Sequence, residues 1–176
     1  MQKIIFLDID GVLATQEDCE ETRLWGLSPK KQELLGQILD KTNADIVLSS
    51  SWRCIDVETT KTYMSSKGFL FSDKIIGVTI RAYHYIDKTT KIHLSIPRGV
   101  EIKQWIDTNV HRNIDLKYQR KSLNIDYTYV ILDDDSDMLL EQKDMFLKCD
   151  SDKGLTTEIV EKVINILNKN SNDNET

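Results

Sequence analysis

At 176 residues, with 40% hydrophobic and 30% charged residues, the chain has the size and composition of one soluble domain that can bury a core without disulfides or structural metal. A net charge of −6 argues against broad nucleic-acid binding, which needs phosphate-neutralising lysines and arginines, but it leaves a nucleotide or a strand end open as substrate. Cys19, Cys54 and Cys149 are odd in number and lack zinc-type spacing, which fits a reduced, cytoplasmic setting, and Asp8 and Asp10 break the N-terminal apolar stretch too early for a signal peptide or membrane span.

Lys3–Leu7 is predicted as a buried strand. Asp8 and Asp10 follow at its end, separated by Ile9, so an extended backbone would throw both carboxylates to one face. Two such charges repel by ~4 kcal/mol at 4 Å and an effective dielectric of 20. A hard divalent cation on oxygen ligands would offset that, and Gly11 permits a sharp or left-handed bend directly afterwards. Ser28 and Pro29 then read as N-cap and first residue of a helix running to about Lys41, with Leu34, Leu35, Ile38 and Leu39 at helical spacing. Ala44–Leu48 is a second strand, closed by Ser49, Ser50, Ser51, Trp52 and Arg53. Hydroxyls and backbone N–H groups at a strand end suit an anionic oxygen, although serines there also serve as caps and turns.

Asp56 can cap a helix that stops at Gly68, and 74–79 is a third strand. Residues 80–97 read as a hairpin or an ordered loop. Gly99–Val110 is a helix with Ile102, Trp105 and Ile106 on one face. Tyr127–Leu132 is a fourth strand that again ends in acids: Asp133, Asp134, Asp135 and Asp137. A short helix over Asp137–Gln142, an edge strand over Met145–Cys149 and an amphipathic helix over Thr156–Leu167 complete the pattern, with a disordered tail over 169–176 after a single domain over 1–168. The alternation predicts an α/β, Rossmann-like parallel sheet with helices on both faces and ligands at the strands' carboxyl ends. His84, His93 and His111 lack metal spacing, Trp52 and Trp105 read as core anchors, and Lys117, Arg120 and Lys121 form a small basic cluster in a solvated loop.

Taken together, Asp8-Ile9-Asp10-Gly11, Ser49-Ser50 closing a strand, a basic residue before a helix (Arg98) and Asp133 with Asp137 resemble the four motifs of the haloacid dehalogenase superfamily of phosphatases, in order and over nearly the whole chain. Ser-Ser-Trp-Arg at 50–53 and Arg-Gly-x-Glu-Ile-x-x-Trp at 98–105 are similar to the phosphatase domains of nucleic-acid repair proteins. The resemblance implies Asp8 as nucleophile forming an aspartyl phosphate, and Asp10 as the acid and base. It implies Ser50, or Ser49 if the alignment slips, on the phosphoryl group, and Arg98, or Lys103, on its charge. Mg²⁺ would lie among Asp8, the Asp10 carbonyl and Asp133, supported by Asp137 or Asp134. Gly11, Ser49, Ser51, Trp52 and Arg53 would line the substrate, with Trp25 a further candidate. The gap between Gly11 and Ser28 is too short for a folded cap, so a mostly uncapped, open site is expected, one that admits a nucleotide, a polynucleotide end, a phosphoprotein or a small phosphate ester, with no obligate protein partner evident. The competing readings are a non-catalytic binding module on the same fold and a receiver-like domain phosphorylated by a partner.

Overall fold

The computed structural model describes residues 1–22, 26–81, 85–86, 89, 93–94, 96–116, 119–124 and 126–169. In chain order the elements are β1 (Gln2–Leu7), α1 (Gln16–Thr22), α2 (Pro29–Thr42), β2 (Asp45–Leu48), α3 (Val57–Ser66), β3 (Ile75–Val78), β4 (Tyr85–Ile86), β5 (His93–Leu94), α4 (Arg98–Asn109), β6 (His111–Leu116), β7 (Gln119–Asn124), β8 (Tyr127–Asp133), β9 (Phe146–Lys148) and α5 (Thr157–Lys169). Five strands make one parallel sheet in the order β3-β2-β1-β8-β9, as the strand–helix alternation predicts. β1 is central, with Leu7 opposite Leu48 on one side and Leu132 on the other.

The period-2 alternation of the strands sorts the core into two layers. Ile5, Leu7, Ile46, Val130 and Leu132 pack on Leu35 and Ile38 of α2, Met64 of α3 and Val160, Val163 and Leu167 of α5. Ile4, Phe6, Val47 and Ile131 pack on Ile102, Ile106 and Val110, so α4 covers the other face. Phe6 meets Trp105 and Tyr129 edge-on, with ring centroids 5.5 and 5.7 Å away. This parity decides the site. Asp8 continues the series Ile4, Phe6, and Asp133 continues Ile131, so both carboxylates emerge on the α4 side.

The helix starts follow the sequence signals. Ser28 accepts a hydrogen bond from Lys31 N with Pro29 behind it, and Asp56 accepts from Thr59 N. One element is added to the sequence reading and three expectations need correction. Gln16–Thr22 is a helix with no apolar periodicity, held by Asp18, whose carboxylate accepts from Thr15 Oγ1 (2.6 Å), Ser28 Oγ (2.9 Å) and Lys31 Nζ (2.5 Å). Burial works against that ionised group, but these donors outweigh it and hold its pKa below the usual range. Residues expected as a solvated loop after α4 form the antiparallel hairpin β6–β7. The helix expected over Asp137–Gln142 shrinks to a 3-10 turn, Leu140–Gln142, because the Gln142 amide binds Leu139 N and Gly99 O (both 2.9 Å) and docks the segment on α4. α5 runs on to Lys169, tied to β1 by Lys3 Nζ on Asn168 Oδ1 at 2.7 Å. The rest of the expected tail, 170–176, lies outside the described residues, as do Trp25, His84 and Lys117. No helix among the described residues is long and apolar enough to cross a membrane.

Candidate active site

The carboxyl ends of β1, β2 and β8 and the first turn of α4 enclose a cavity of about 370 Å³, lined by Asp8, Ser51, Arg53, Arg81, Arg98, Glu101, Asp133, Asp134, Asp135 and Asp137. Asp8 is 8% exposed and Asp133 2%. Carboxylate oxygens of Asp8, Asp133 and Asp134 all lie within 4.8 Å of one another, a set of hard oxygen donors that fits a divalent cation of the Mg²⁺ kind. Burial raises the Asp8 pKa above its ordinary value, against the hydrogen bonds from Ser50 and Ile9 N–H and the Arg98 charge; the Asp10 charge adds to the rise. Burial, then the neighbouring Asp8 charge, push Asp133 up to about 7. Burial raises Asp134 as well, with Asp135 and Asp10 adding to it.

The turn after β1 is tight. Val12, Leu13 and Ala14 N–H groups all donate to Ile9 O, and Gly11 adopts φ +68°. A Cβ on Gly11 would sit 2.3 Å from Asp134 Cγ, so glycine is needed here both for the left-handed backbone and for the approach of the third carboxylate. The bend also turns Asp10 away from the direction an extended strand would give it. Its carboxylate accepts from Trp52 Nε1 at 3.0 Å and Ser51 Oγ at 3.1 Å. Asp10 therefore stands beside the carboxylate cluster rather than within it, on the β2 side.

At the end of β2 the serines divide. The Ser50 hydroxyl hydrogen-bonds the Asp8 carboxylate, while Ser49 Oγ accepts from Thr79 Oγ1 at 3.4 Å, away from the cavity. Trp52 presents its indole N–H to Asp10 and tilts its ring against Tyr63. Arg53, expected to line substrate, is 5% exposed and committed to the protein. Its guanidinium donates to Ser50 O (2.5 Å), Ile80 O (3.0 Å) and Glu101 Oε2 (2.7 Å). Burial lowers its pKa to about 10, countered by Glu101 and deepened by the charges of Arg98 and Arg81.

Arg98 opens α4. Its Nη1 lies 3.0 Å from Glu101 Oε2 and its Nε 3.7 Å from Asp133 Oδ2. Asp137 does not join the carboxylate cluster. It accepts from Arg98 N at 2.7 Å and so caps α4, placing the arginine over Asp133. Gly99 allows that docking, since a Cβ there would fall 2.5 Å from Leu139 N and Gln142 Oε1. Lys103, the alternative to Arg98, is outside the cavity, paired with Asp107 at 3.1 Å. The basic pair Arg120 and Lys121 belongs to β7, in the hairpin that leaves from the opposite edge of the sheet, where β8 begins at Tyr127 beside Gln2. Two site residues have no role in the sequence reading: Glu101, the shared partner of Arg53 and Arg98, which stands there only as part of the 98–105 stretch, and Arg81, which reaches the rim from the loop after β3. The only sequence hint was the glutamate at helical spacing from Arg98.

A protein-family model described as a HAD domain in Swiss Army Knife RNA repair proteins matches residues 4–160. No curated protein and no solved structure matches the chain.

Proposed function

This chain belongs to the family of HAD domains found in Swiss Army Knife RNA repair proteins, a HAD-type hydrolase by that membership, and from this premise we propose that it is a Mg²⁺-dependent phosphomonoester hydrolase working through an aspartyl phosphate on Asp8. The observation that carries the reading is the setting of Asp8: buried at the end of the central strand, hydrogen-bonded by Ser50, and within 4.8 Å of Asp133 and Asp134.

Asp8, Asp133 and Asp134 would hold the cation, which when bound offsets their charge and draws electron density from the phosphoryl oxygens. In the first half-reaction the Asp8 carboxylate attacks phosphorus, the bond to the leaving oxygen breaks, and Asp10 gives that oxygen its proton. In the second, Asp10 takes a proton from the water that attacks the phosphorus, freeing Asp8 and inorganic phosphate. Trp52 Nε1 and Ser51 Oγ orient Asp10 for both steps. Ser50 and Arg98 stabilise charge on the transferring group, and the Arg53–Glu101 pair fixes both, because Arg53 holds the Ser50 carbonyl while Glu101 holds Arg98. The open cavity and the family's description support a nucleotide or a nucleic-acid end as substrate. The test is release of phosphate from p-nitrophenyl phosphate with and without Mg²⁺, joined to acid quenching and mass spectrometry of the Asp8 peptide. Turnover with a phosphoryl mass increase on Asp8 is the expected result. A stable phosphoryl-Asp8 without turnover would favour a receiver-like module, and no activity with any phosphomonoester would refute the hydrolase reading.

A further inference from the structure

Arg81 differs from the other two arginines of the cavity. Arg53 and Arg98 share Glu101, at 2.7 and 3.0 Å. Arg81 is exposed and, among the described residues, its bonds are to neutral oxygens: Nη2 donates to Ser51 O and, at 3.1 Å, to Arg53 O. Carbonyls fix the guanidinium without neutralising it, and its remaining N–H donors stay available. Its place relative to the chemistry follows from Ser51. The carbonyl of Ser51 binds Arg81, and its hydroxyl binds Asp10 at 3.1 Å. Asp10 is the group that serves the leaving oxygen, so Arg81 stands on the leaving-group side, whereas Arg98 stands on the Asp133 side at 3.7 Å. A simple phosphate ester has no anion to put there.

We propose that Arg81 forms a subsite for a second phosphate carried by the leaving group, so that the preferred substrate is a phosphomonoester joined to a nucleoside that bears another phosphate. This rests on the hydrolase reading and on Asp10 as proton donor. The second phosphate is supplied by the adjacent phosphodiester of a strand end or by the other monoester of a nucleoside bisphosphate.

The experiment compares kcat/KM for p-nitrophenyl phosphate, a nucleoside monophosphate, the corresponding 3′,5′-bisphosphate and a dinucleotide with one terminal phosphate, in the wild type, Arg81→Gln and Arg81→Lys. The wild type is expected to favour at least one substrate with a second phosphate over the monophosphate, and the one it favours identifies the source of that phosphate. Arg81→Gln keeps a donor for the two carbonyls but removes the charge. It should lower that preference about tenfold and reduce the salt dependence of log kcat/KM by about 0.7 for the favoured substrate, one phosphate contact on a single strand. Arg81→Lys should restore part of it. Equal losses on the singly and doubly phosphorylated substrates would make Arg81 a brace for the loop and overturn the subsite, as would a wild type indifferent to the second phosphate. Under both results the wild type still hydrolyses p-nitrophenyl phosphate; its failure to do so would instead remove the hydrolase reading and the subsite with it.

Discussion

On the acidic side of the cavity, Asp8, Asp133 and Asp134 converge within 4.8 Å, and the nearest described cation to the set, Arg98, lies 3.7 Å from Asp133. On the basic side, Arg53, Arg81 and Arg98 find Glu101 and four backbone carbonyls. The arginines are held by the protein itself, ready before any ligand arrives. The carboxylates accept hydrogen bonds from Ser50, Ile9 N and Asp135 N, but Arg98 answers only part of their charge, and the rest is offset either by protons, as the raised pKa of Asp133 indicates, or by a bound cation. The basic side is thus built for rigidity and the acidic side for occupancy, and substitutions should separate the two.

The largest effect is expected on the acidic side. Asp8→Asn should lower kcat by about 10⁴-fold or more while circular dichroism stays native, because the proposed nucleophile is lost and a buried charge goes with it. Near-normal phosphate release from that variant would end the assignment. On the basic side the signature is stability. Glu101→Ala strands Arg53 and should cost about 3–5 kcal/mol, read as a lowered urea midpoint. Glu101→Gln, which keeps a neutral acceptor between the two arginines, should cost clearly less, and equal costs would mean the pairing is not electrostatic.

Next in size is the response to metal. Mg²⁺ at 100-fold its dissociation constant should stabilise the wild type by ~2.7 kcal/mol, and Asp134→Ala should abolish most of that rise in melting temperature. In chelator, the Asp133 carboxyl holds its proton up to about 7, against 3.8 ordinarily. The folded state binds that proton more tightly than the unfolded chain, so its stabilisation is full at low pH and is lost as pH rises through the folded value. Melting temperature should fall between about pH 5 and pH 8 in chelator, with Mg²⁺ removing most of the fall. A flat profile in chelator would contradict the burial of the cluster. The smallest effect concerns Cys149, whose N–H donates to Asp133 O. Burial and the nearby carboxylates push its thiol up to about 12, so in the native protein at pH 8 iodoacetamide should label Cys19 and Cys54 but spare Cys149.

What could be read from the sequence is what short-range rules decide. Ser28 and Asp56 announced their helices, and the strand parity that ends in Asp8 and Asp133 set the face of the site. Parity stops informing where the strand stops. Gly11 bends Asp10 toward Trp52, and the turn in which Asp133 Oδ1 accepts from Asp135 N brings Asp134, instead of Asp137, to the cluster. α1 has no hydrophobic stripe to detect, because a partly buried ion pair with Lys31 holds it. Between β6 and β7 the sequence has neither the Gly nor the Asn that signals a hairpin, and the two strands are mostly polar. Nothing local to Arg53 signals that the protein itself holds its guanidinium, because its partner, Glu101, belongs to another element altogether.

The central position of β1 has a consequence for synthesis. Leu7 pairs with Leu48 soon after both leave the ribosome, but its other partner, Leu132, arrives only after α3, α4 and both hairpins have been made. Parallel pairing across so long a stretch of chain is slow to form, and in the interval one edge of an apolar strand stays open to other chains. Asp8 and Asp10, at the end of that strand, then stand as charged gatekeepers against aggregation before the carboxylates of β8 have been made to join them.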